Sequence, residues 1–359
     1  MKRRTLLSGA AFGAAALTLA APAVAQNKRV LKLVGTFPRG FPGLGHAAEN
    51  IAKQVTAATE GALTVEYFGG GELVPPYAVN DAVSTGAAEM GHSSPYFAAG
   101  KIKASMYYTN MPYGLSAAEL GGWIRYGGGQ ALWDESYAPF NLKPFWAGSS
   151  MAQAGGWFKK PINSLDDMQG LKMRIAGLGG AIMQKIGVSS VNLPAGEIFP
   201  ALQSGVVDAA EFVGPWNDKA LGLAKVAPHY YMPAPHETGA GLECIVRQDV
   251  WEEFTPAQKV IVESIISAVA DETTTAFAYN NVVALQQLMS DGVTPSVFPD
   301  DVVAALGKAS VEVFEAYPEG DEMAQKIHAP YVEYVKQAVY CGKLLEGQMY
   351  ADRARAWGI

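Results

Sequence analysis

The chain contains little cysteine, little histidine and few charged residues. Its 359 residues include two cysteines and five histidines, and charged residues make up only 17%. Two cysteines this far apart do not form a zinc-binding pattern. Cys244 and Cys341 are therefore expected either to form one disulfide or to remain two separate thiols. The formal net charge of −7 argues against nucleic acid as a partner.

Long apolar runs are missing after residue 26, which excludes a later membrane-spanning helix. Residues 2–4 are basic, and residues 6–19 form an Ala-rich apolar stretch. Ala-Val-Ala at 23–25 suits a signal peptidase. We therefore predict that residues 1–25 are a cleaved signal peptide with a twin-arginine-like start, which implies a periplasmic location. Export by the general secretion route and an uncleaved anchor are the alternatives.

Strand and helix patterns alternate along the chain. Residues 30–34 and 63–68 alternate like strands, and residues 46–59 have helical spacing between them. This order predicts an α/β fold with a largely parallel sheet, in which ligands bind beyond the carboxyl ends of the strands. The same alternation returns over residues 151–213, which predicts a second lobe.

The expected division follows these patterns. Residues 26–148 are predicted to form mainly the first lobe, and residues 149–242 mainly the second. Residues 243–359 are predicted to supply crossing strands and C-terminal helices that pack on both lobes. The last part is strongly helical from residue 256 onward.

One arginine and one glutamate are the most informative residues of the second half. Arg174 ends a short apolar run before a glycine-rich loop, and Glu211 lies in a turn of Gly, Pro and aromatic residues. A fixed cation and a fixed carboxylate on separate loops suit a small anion held with a metal ion. A surface arginine is the alternative. No GxSxG, HExxH or Walker A motif accompanies them, so the sequence favours a binding protein over an enzyme.

Several short stretches of the chain form a recognisable set. They are Gly-Glu-Leu-Val-Pro at 71–75, Gly-Gly-Trp-Phe at 155–158, Gly-Leu-Lys-Met-Arg at 170–174, Ala-Leu-Gln-Ser-Gly at 201–205 and Asp-Ala-Ala-Glu-Phe-Val-Gly-Pro-Trp at 208–216. Together they resemble the extracytoplasmic solute receptors of tripartite ATP-independent periplasmic (TRAP) transporters, in the branch that binds α-keto acids. The resemblance covers nearly all of the chain after residue 26. It implies two lobes that close over the ligand, a long helix, membrane transporter subunits as partners and, for some members, a homodimer through C-terminal helices.

The resemblance also implies roles for individual residues. Arg174 would hold the substrate carboxylate, Tyr96 would donate its hydroxyl to the substrate, and Trp216 would close the pocket. The bound metal ion would be Na⁺ or Ca²⁺, and a carboxylate at Glu243 would favour a divalent ion. An exposed strand position is the alternative for Glu243. The implied metal ligands are Gln153, which also touches the substrate, Glu211, the backbone carbonyl of Phe212, and Glu243.

The expected function is that of a receptor for a small 2-oxo or 2-hydroxy monocarboxylate. Hinge closure around the ligand would produce the form that docks on the membrane subunits. Related sequences usually have Trp where this chain has Phe212, so a larger aromatic or sugar acid is an alternative ligand. A secreted enzyme acting on organic acids is a further alternative. His236 and Glu237, in a Pro-rich loop, are expected to form a surface turn.

Overall fold

Two β-sheets with helices on their faces form the frame of the protein. The computed structural model describes residues 28–359, so the predicted signal peptide lies outside the described residues. The predicted α/β fold with two lobes is confirmed, and the residue boundaries between the lobes stay a prediction. The strands are β1 Arg29–Gly35, β2 Leu63–Phe68, β3 Met90–Ser93, β4 Leu142–Ser149, β5 Gly156–Phe158, β6 Lys172–Arg174, β7 Ser189–Val191, β8 Ala209–Ala210, β9 His229–Tyr231, β10 Gly241–Arg247 and β11 Pro295–Ser296.

The helices surround these sheets and continue into a helical C-terminal part. The α-helices are α1 Leu44–Ala58, α2 Val79–Ser84, α3 Met106–Thr109, α4 Ala117–Tyr126, α5 Gly129–Tyr137, α6 Gly179–Lys185, α7 Ala195–Ser204, α8 Pro215–Leu221, α9 Gln248–Glu253, α10 Pro256–Ser290, α11 Asp300–Ala316, α12 Glu322–Gly342 and α13 Gln348–Trp357. Among the helices of residues 28–359, none has the length and apolar character of a membrane span.

The first sheet defines the first lobe and has the order β2-β1-β3-β10-β4. β1 pairs in parallel with β2 and β3, as the strand–helix alternation predicts. β10 enters this sheet after the second lobe and runs antiparallel to both of its neighbours. Four of the five strands therefore run in the same direction, which agrees with the prediction of a largely parallel sheet, and β10 alone runs against them. A strand that returns from a distant part of the chain is not bound by the handedness of a local strand–helix–strand unit.

The second sheet defines the second lobe and has the order β11-β9-β5-β8-β6-β7. β6 lies between β7 and β8 and is parallel to both. Arg174 is the last residue of β6, and Glu211 follows β8 directly. The carboxyl ends of two neighbouring parallel strands thus bring these two residues to the same edge of the sheet.

The long helix α10 joins the two lobes. It begins at a capping box in which Thr255 Oγ1 accepts from the backbone N–H of Gln258, and the Gln258 side chain accepts from the backbone of Thr255. The helix packs on β4 and α1 of the first lobe and on α8 of the second. Phe277, fully buried in the helix, meets the ring of Trp216 edge-on at 5.2 Å between centroids.

The two cysteines lie far apart in this fold. Cys244 is fully buried on β10, and Cys341 is exposed on α12, so the alternative of two separate thiols is the correct one. A π-helical turn, Lys343–Gly347, connects α12 to α13 and keeps the segment helical to Trp357. This C-terminal segment carries exposed apolar side chains, namely Val339, Tyr340, Leu344, Leu345, Met349, Tyr350 and Trp357.

Candidate functional site

A small cavity lies between the two lobes at the carboxyl ends of β6 and β8. Its volume is about 20 Å³, which is room for one or two water molecules. Both lobes and the segments that connect them contribute to its wall. The lining residues are Thr36, Phe37, Leu44, Tyr77, Ser94, Tyr96, Phe97, Ser150, Gln153, Arg174, Pro194, Ala195, Phe212, Val213, Ala240 and Leu242.

Arg174 is held rigidly in the wall of this cavity and is 1% exposed. Its Nε donates to the carbonyl oxygen of Leu193 at 3.0 Å, and its Nη1 donates to the carbonyl oxygen of Glu211. The guanidinium lies over the ring of Phe212, 5.3 Å from the ring centroid. Because these contacts use Nε and Nη1, Nη2 remains to face a ligand. A planar guanidinium fixed in this way suits a carboxylate.

A buried ion pair connects Arg174 to Glu211. Nη1 of Arg174 lies 3.3 Å from Oε2 of Glu211, and both side chains are almost completely buried. The backbone N–H of Glu211 also donates to the carbonyl oxygen of Arg174 at 2.9 Å, since β6 and β8 are adjacent. A buried ion pair gives little net stability, because desolvating both charges offsets their attraction. We therefore interpret the pair as part of a functional site.

Three buried side-chain oxygens gather beside this ion pair. They are Oε1 of Gln153, Oε1 of Glu211 and Oε2 of Glu237, and none has a hydrogen-bond partner within the part of the chain that the structure describes. The Nε2 of Gln153 donates to Ser150 Oγ at 2.9 Å, which leaves its oxygen free. Buried oxygens without partners are rare, and a hard cation such as Na⁺ or Ca²⁺ takes ligands of this kind.

The carboxyl groups of Glu211 and Glu237 affect each other. Burial, and secondly the charge of Glu211, raise the pKa of Glu237 well above its usual value, while the charge of Arg174 opposes this rise. In residues 28–359, no three His, Cys, Asp or Glu side chains converge as a metal site by themselves. A cation here would therefore need the Gln153 amide oxygen, backbone carbonyls and ligand oxygens as well.

His236 and Glu237 do not form a surface turn, and that expectation is wrong. They are 3% and 5% exposed, and His236 Nε2 lies 3.8 Å from Oε2 of Glu211. Backbone hydrogen bonds draw the Pro-rich segment inward: Gln153 donates to the carbonyl of Glu237 at 3.1 Å, and Ala234 donates to the carbonyl of Gln153 at 2.9 Å. Glu237 is thus a site residue that the sequence analysis missed. Its signal was weak, an acidic residue among Pro, Gly and small residues.

Tyr96 lies in the cavity wall, as expected. Burial, followed by the charge of Glu237, raises the pKa of Tyr96 well above its ordinary value, so its hydroxyl remains a hydrogen-bond donor. Gly177, with a φ of +57°, lets the loop after β6 approach the Tyr96 ring: a Cβ at Gly177 would lie 3.3 Å from the ring and 3.9 Å from Oε1 of Glu237. Tyr96, Glu237 and Gly177 are therefore close together.

Tyr77 is a second lining residue that the sequence analysis did not single out. Its hydroxyl donates to Oδ1 of Asn192 in the second lobe at 3.1 Å. Burial raises the pKa of Tyr77, and the positive charge of Arg174 opposes that rise. Its aromatic character was visible in the sequence, but its position next to Arg174 depends on the packing of one lobe against the other.

Further contacts hold the lobes together around the cavity. Nδ2 of Asn217, on α8 of the second lobe, donates to the carbonyl oxygen of Pro42 in the first lobe at 2.8 Å. The ring of Phe41 meets the ring of Phe212 edge-on at 5.9 Å between centroids. The two lobes are therefore in contact on more than one side of the cavity.

Three expected site residues lie outside the lining of the cavity: Glu211, which is paired with Arg174, and also Glu243 and Trp216. Glu243 is fully buried on β10, where Oε1 accepts from Asn80 Nδ2 at 3.0 Å and Oε2 accepts from the hydroxyl of Tyr137 at 2.9 Å. It is not an exposed strand residue, and both of its oxygens already have hydrogen-bond partners in the first lobe, into which β10 carries it. Trp216 packs against Phe277 of α10 instead of facing the cavity.

Comparison with known families identifies the kind of protein that the chain resembles. The family described as bacterial extracellular solute-binding protein, family 7, matches residues 38–320. A monocarboxylate 2-oxoacid-binding periplasmic protein from Nostoc sp. is 36% identical over 347 residues, which cover 94% of each chain.

Two solved structures have the same fold. A TRAP transporter solute-binding protein from Bordetella bronchiseptica has 32% identity, a TM-score of 0.88 and coverage of 91% of this chain and 98% of its own. That protein is a mixed-occupancy dimer with copurified calcium and picolinate in one site. A TRAP periplasmic solute-binding protein from Pseudoalteromonas atlantica, with sodium and pyruvate bound, has 31% identity, a TM-score of 0.86 and coverage of 90% and 99%.

The surroundings of Glu243 predict a pH-dependent contribution to stability. Burial raises the pKa of Glu243 from 4.5 to about 7 in the folded protein. The folded state therefore keeps this proton at pH values where the unfolded chain releases it. The stabilising contribution is complete below about pH 4.5 and declines as the pH rises to about 7, by roughly 3 kcal/mol at most.

Replacement of Glu243 by Gln should remove this decline. The free energy of unfolding, measured with urea between pH 4.5 and 7, should fall less with rising pH in Glu243→Gln than in the wild type. Glu66→Gln, on the exposed face of β2, is the matched control and should keep the wild-type slope. Parallel profiles for the wild type and Glu243→Gln would contradict the assignment.

Proposed function

The chain belongs to the bacterial extracellular solute-binding proteins of family 7, and from that premise we propose that it is the periplasmic receptor of a TRAP transporter for a small 2-oxo monocarboxylate bound with a metal ion. Members of this family bind solutes and are receptors rather than enzymes. The observation that carries the proposal is a buried Arg174 in the wall of the interlobe cavity, ion-paired with Glu211 and near the unpartnered oxygens of Gln153, Glu211 and Glu237.

The guanidinium of Arg174 is the proposed partner of the ligand carboxylate. It is already anchored by two protein carbonyl oxygens, so a ligand does not have to order a flexible side chain. A carboxylate at Nη2 would add a charge-assisted hydrogen bond in a site that excludes water. The hydroxyl of Tyr96 is a further donor available in the same wall, whereas the hydroxyl of Tyr77 already donates to Asn192.

The unpartnered oxygens are the proposed ligands of the metal ion. Gln153, Glu211 and Glu237 would contribute side-chain oxygens, and the carbonyl of Phe212 is a further candidate. A bound cation would neutralise the repulsion between the two carboxylates and would supply a positive charge for the 2-oxo oxygen of the ligand. Two carboxylates around one ion favour Ca²⁺ over Na⁺. The sodium and calcium in the two related structures support this class of ion.

The contacts around Phe212 favour a ligand of the size of pyruvate or lactate over a sugar acid. Phe212, which is smaller than the Trp of related sequences, is backed by Phe41 from the opposite lobe, so the smaller side chain does not leave a wide pocket. The 2-oxoacid named for the Nostoc relative and the pyruvate of the Pseudoalteromonas structure agree with this choice.

Ligand binding is proposed to stabilise the closed arrangement of the lobes. A ligand that contacts Arg174 in the second lobe and Tyr96 in the first interacts with both lobes only when they are closed. Its higher affinity for that state shifts the population toward it. The closed form would then dock on the membrane subunits, which transport the acid.

The role of Arg174 can be tested by substitution. Arg174→Ala should weaken pyruvate binding by roughly a hundredfold or more, because a buried charged partner of the carboxylate is lost. Arg174→Lys should also bind more weakly, since a lysine cannot offer the same planar fork. Calorimetry in the presence of Ca²⁺ measures both. Arg125→Ala, an exposed position on α4, should bind like the wild type, and an unchanged affinity in a folded Arg174→Ala would refute the role.

The metal ion can be tested by removal. Exhaustive dialysis against a chelator should weaken pyruvate binding, and added Ca²⁺ should restore it. Glu211→Gln and Glu237→Gln should bind Ca²⁺ more weakly, because each loses a charged oxygen. Glu243→Gln, whose carboxylate is bonded to Asn80 and Tyr137, is the matched control and should respond like the wild type. If the affinity for pyruvate does not change after dialysis against the chelator but depends on the Na⁺ concentration, the bound ion is sodium.

A homodimer through the C-terminal helices is the proposed assembly. The exposed apolar side chains from Val339 to Trp357 need a partner surface, and the Bordetella relative forms a dimer. Light scattering should show a dimer for the full chain and a monomer once residues 343–359 are removed. Pyruvate affinity should be the same in both, since the cavity is distant in sequence from this segment. A monomeric full chain would contradict the proposal.

A further inference from the structure

A second cavity lies beside the ligand cavity, inside the first lobe. Its volume is about 330 Å³, many times that of the ligand cavity. Tyr77 and Phe97 line both cavities, so their rings form the wall between them. We call these two residues the ring wall.

The ring wall is packed and anchored. The rings of Tyr77 and Phe97 lie 4.4 Å apart between centroids, and Phe97 lies equally close to the ring of Tyr96. The hydroxyl of Tyr77 is bound to Asn192 of the opposite lobe. Closure of the lobes therefore fixes the ring wall as well as the ligand.

The second cavity suits an aliphatic chain. Phe140, Leu142 and Ile102 contribute apolar side chains to its lining. The polar side chains of Asn80 and Ser84 in the same lining already donate, to Glu243 and to the carbonyl oxygen of Phe140. Its charged members, Lys101 and Asp81, pair with each other at 2.6 Å, and both are at least half exposed. A hydrocarbon tail inside would contact apolar carbon without leaving a buried charge unpaired.

We propose that the ring wall of Tyr77 and Phe97 limits the length of the ligand by closing off this second cavity, which accepts the tail of a longer 2-oxo acid once Phe97 is removed. The inference rests on the proposed function. Tyr77 lies beside the guanidinium of Arg174, so a ligand anchored there by its carboxylate has the ring wall as an immediate neighbour. With the carboxylate at Arg174, the methyl group of pyruvate would end in front of the wall, and a longer chain would run into it.

The test compares pyruvate with 2-oxohexanoate by calorimetry at a fixed Ca²⁺ concentration. The wild type should prefer pyruvate. Phe97→Ala should shift the ratio of the 2-oxohexanoate affinity to the pyruvate affinity toward the longer acid on the order of tenfold, since each methylene buried in an apolar cavity strengthens binding by roughly fourfold before ordering costs. Phe97→Leu should show a smaller gain for 2-oxohexanoate. If Phe97→Ala no longer binds pyruvate, the same comparison of the two acids is made with Phe97→Leu.

Two control variants separate the second cavity from a general loosening of the site. A Cβ at Gly100, which lines the second cavity, meets no atom within 4 Å, so a large side chain can be introduced there. The double variant Phe97→Ala/Gly100→Phe should lose the gain for 2-oxohexanoate and bind pyruvate like Phe97→Ala alone. Tyr77→Phe keeps the ring and loses the bond to Asn192, so it should gain no affinity for the longer acid.

The outcomes distinguish this inference from the function on which it rests. If Phe97→Ala still binds pyruvate but gains no affinity for 2-oxohexanoate relative to pyruvate, the proposed role of the ring wall is wrong. It is also wrong if the wild type binds both acids equally. A gain that persists in the double variant would overturn the role of the second cavity. If the wild type binds no 2-oxo acid at all, the proposed function itself fails.

Discussion

The pairing of Arg174 with Glu211 across two adjacent strands is the interaction on which the site depends. The parallel register of β6 and β8 places both residues at one edge of the second sheet. Carbonyl oxygens of Leu193 and Glu211 then fix the guanidinium before any ligand is present. Burying the charged guanidinium costs free energy of desolvation. A carboxylate ligand that binds to it offsets part of this cost, which explains why the protein keeps a charge in this place.

A second constraint comes from the carboxyl groups of Glu211 and Glu237. Glu211 and Glu237 are buried close enough that the charge of one raises the pKa of the other. One arginine is insufficient for two carboxylates and an anionic ligand. Either a proton or a metal ion must supply the remaining positive charge, and the unpartnered oxygens of Gln153 and both glutamates provide a place for the ion. Ligand and metal binding would thereby be coupled.

The sequence predicted the parts of this site that depend on local patterns. Arg174 was recognisable at the end of a strand before a glycine-rich loop, and Gln153, Glu211, Phe212 and Tyr96 followed from the family resemblance. All five lie in or beside the cavity. The alternation of strands and helices likewise predicted two α/β lobes, because each strand–helix unit is local.

Features that depend on distant pairing were not predictable in this way. The position of Glu237 follows from backbone bonds between its segment and Gln153. Glu243 was misplaced because β10 returns from the second lobe into the first sheet, where Asn80 and Tyr137 occupy both of its oxygens. Neither feature has a periodicity or spacing that a single sequence reveals.

The most direct test of the account is a crystal structure of the protein with Ca²⁺ and pyruvate, using the anomalous signal of calcium. The account expects the calcium peak at the oxygens of Gln153, Glu211 and Glu237, with the pyruvate carboxylate bonded to Arg174. Pyruvate bound away from Arg174, or calcium bound elsewhere while these three oxygens stay unpartnered, would contradict it.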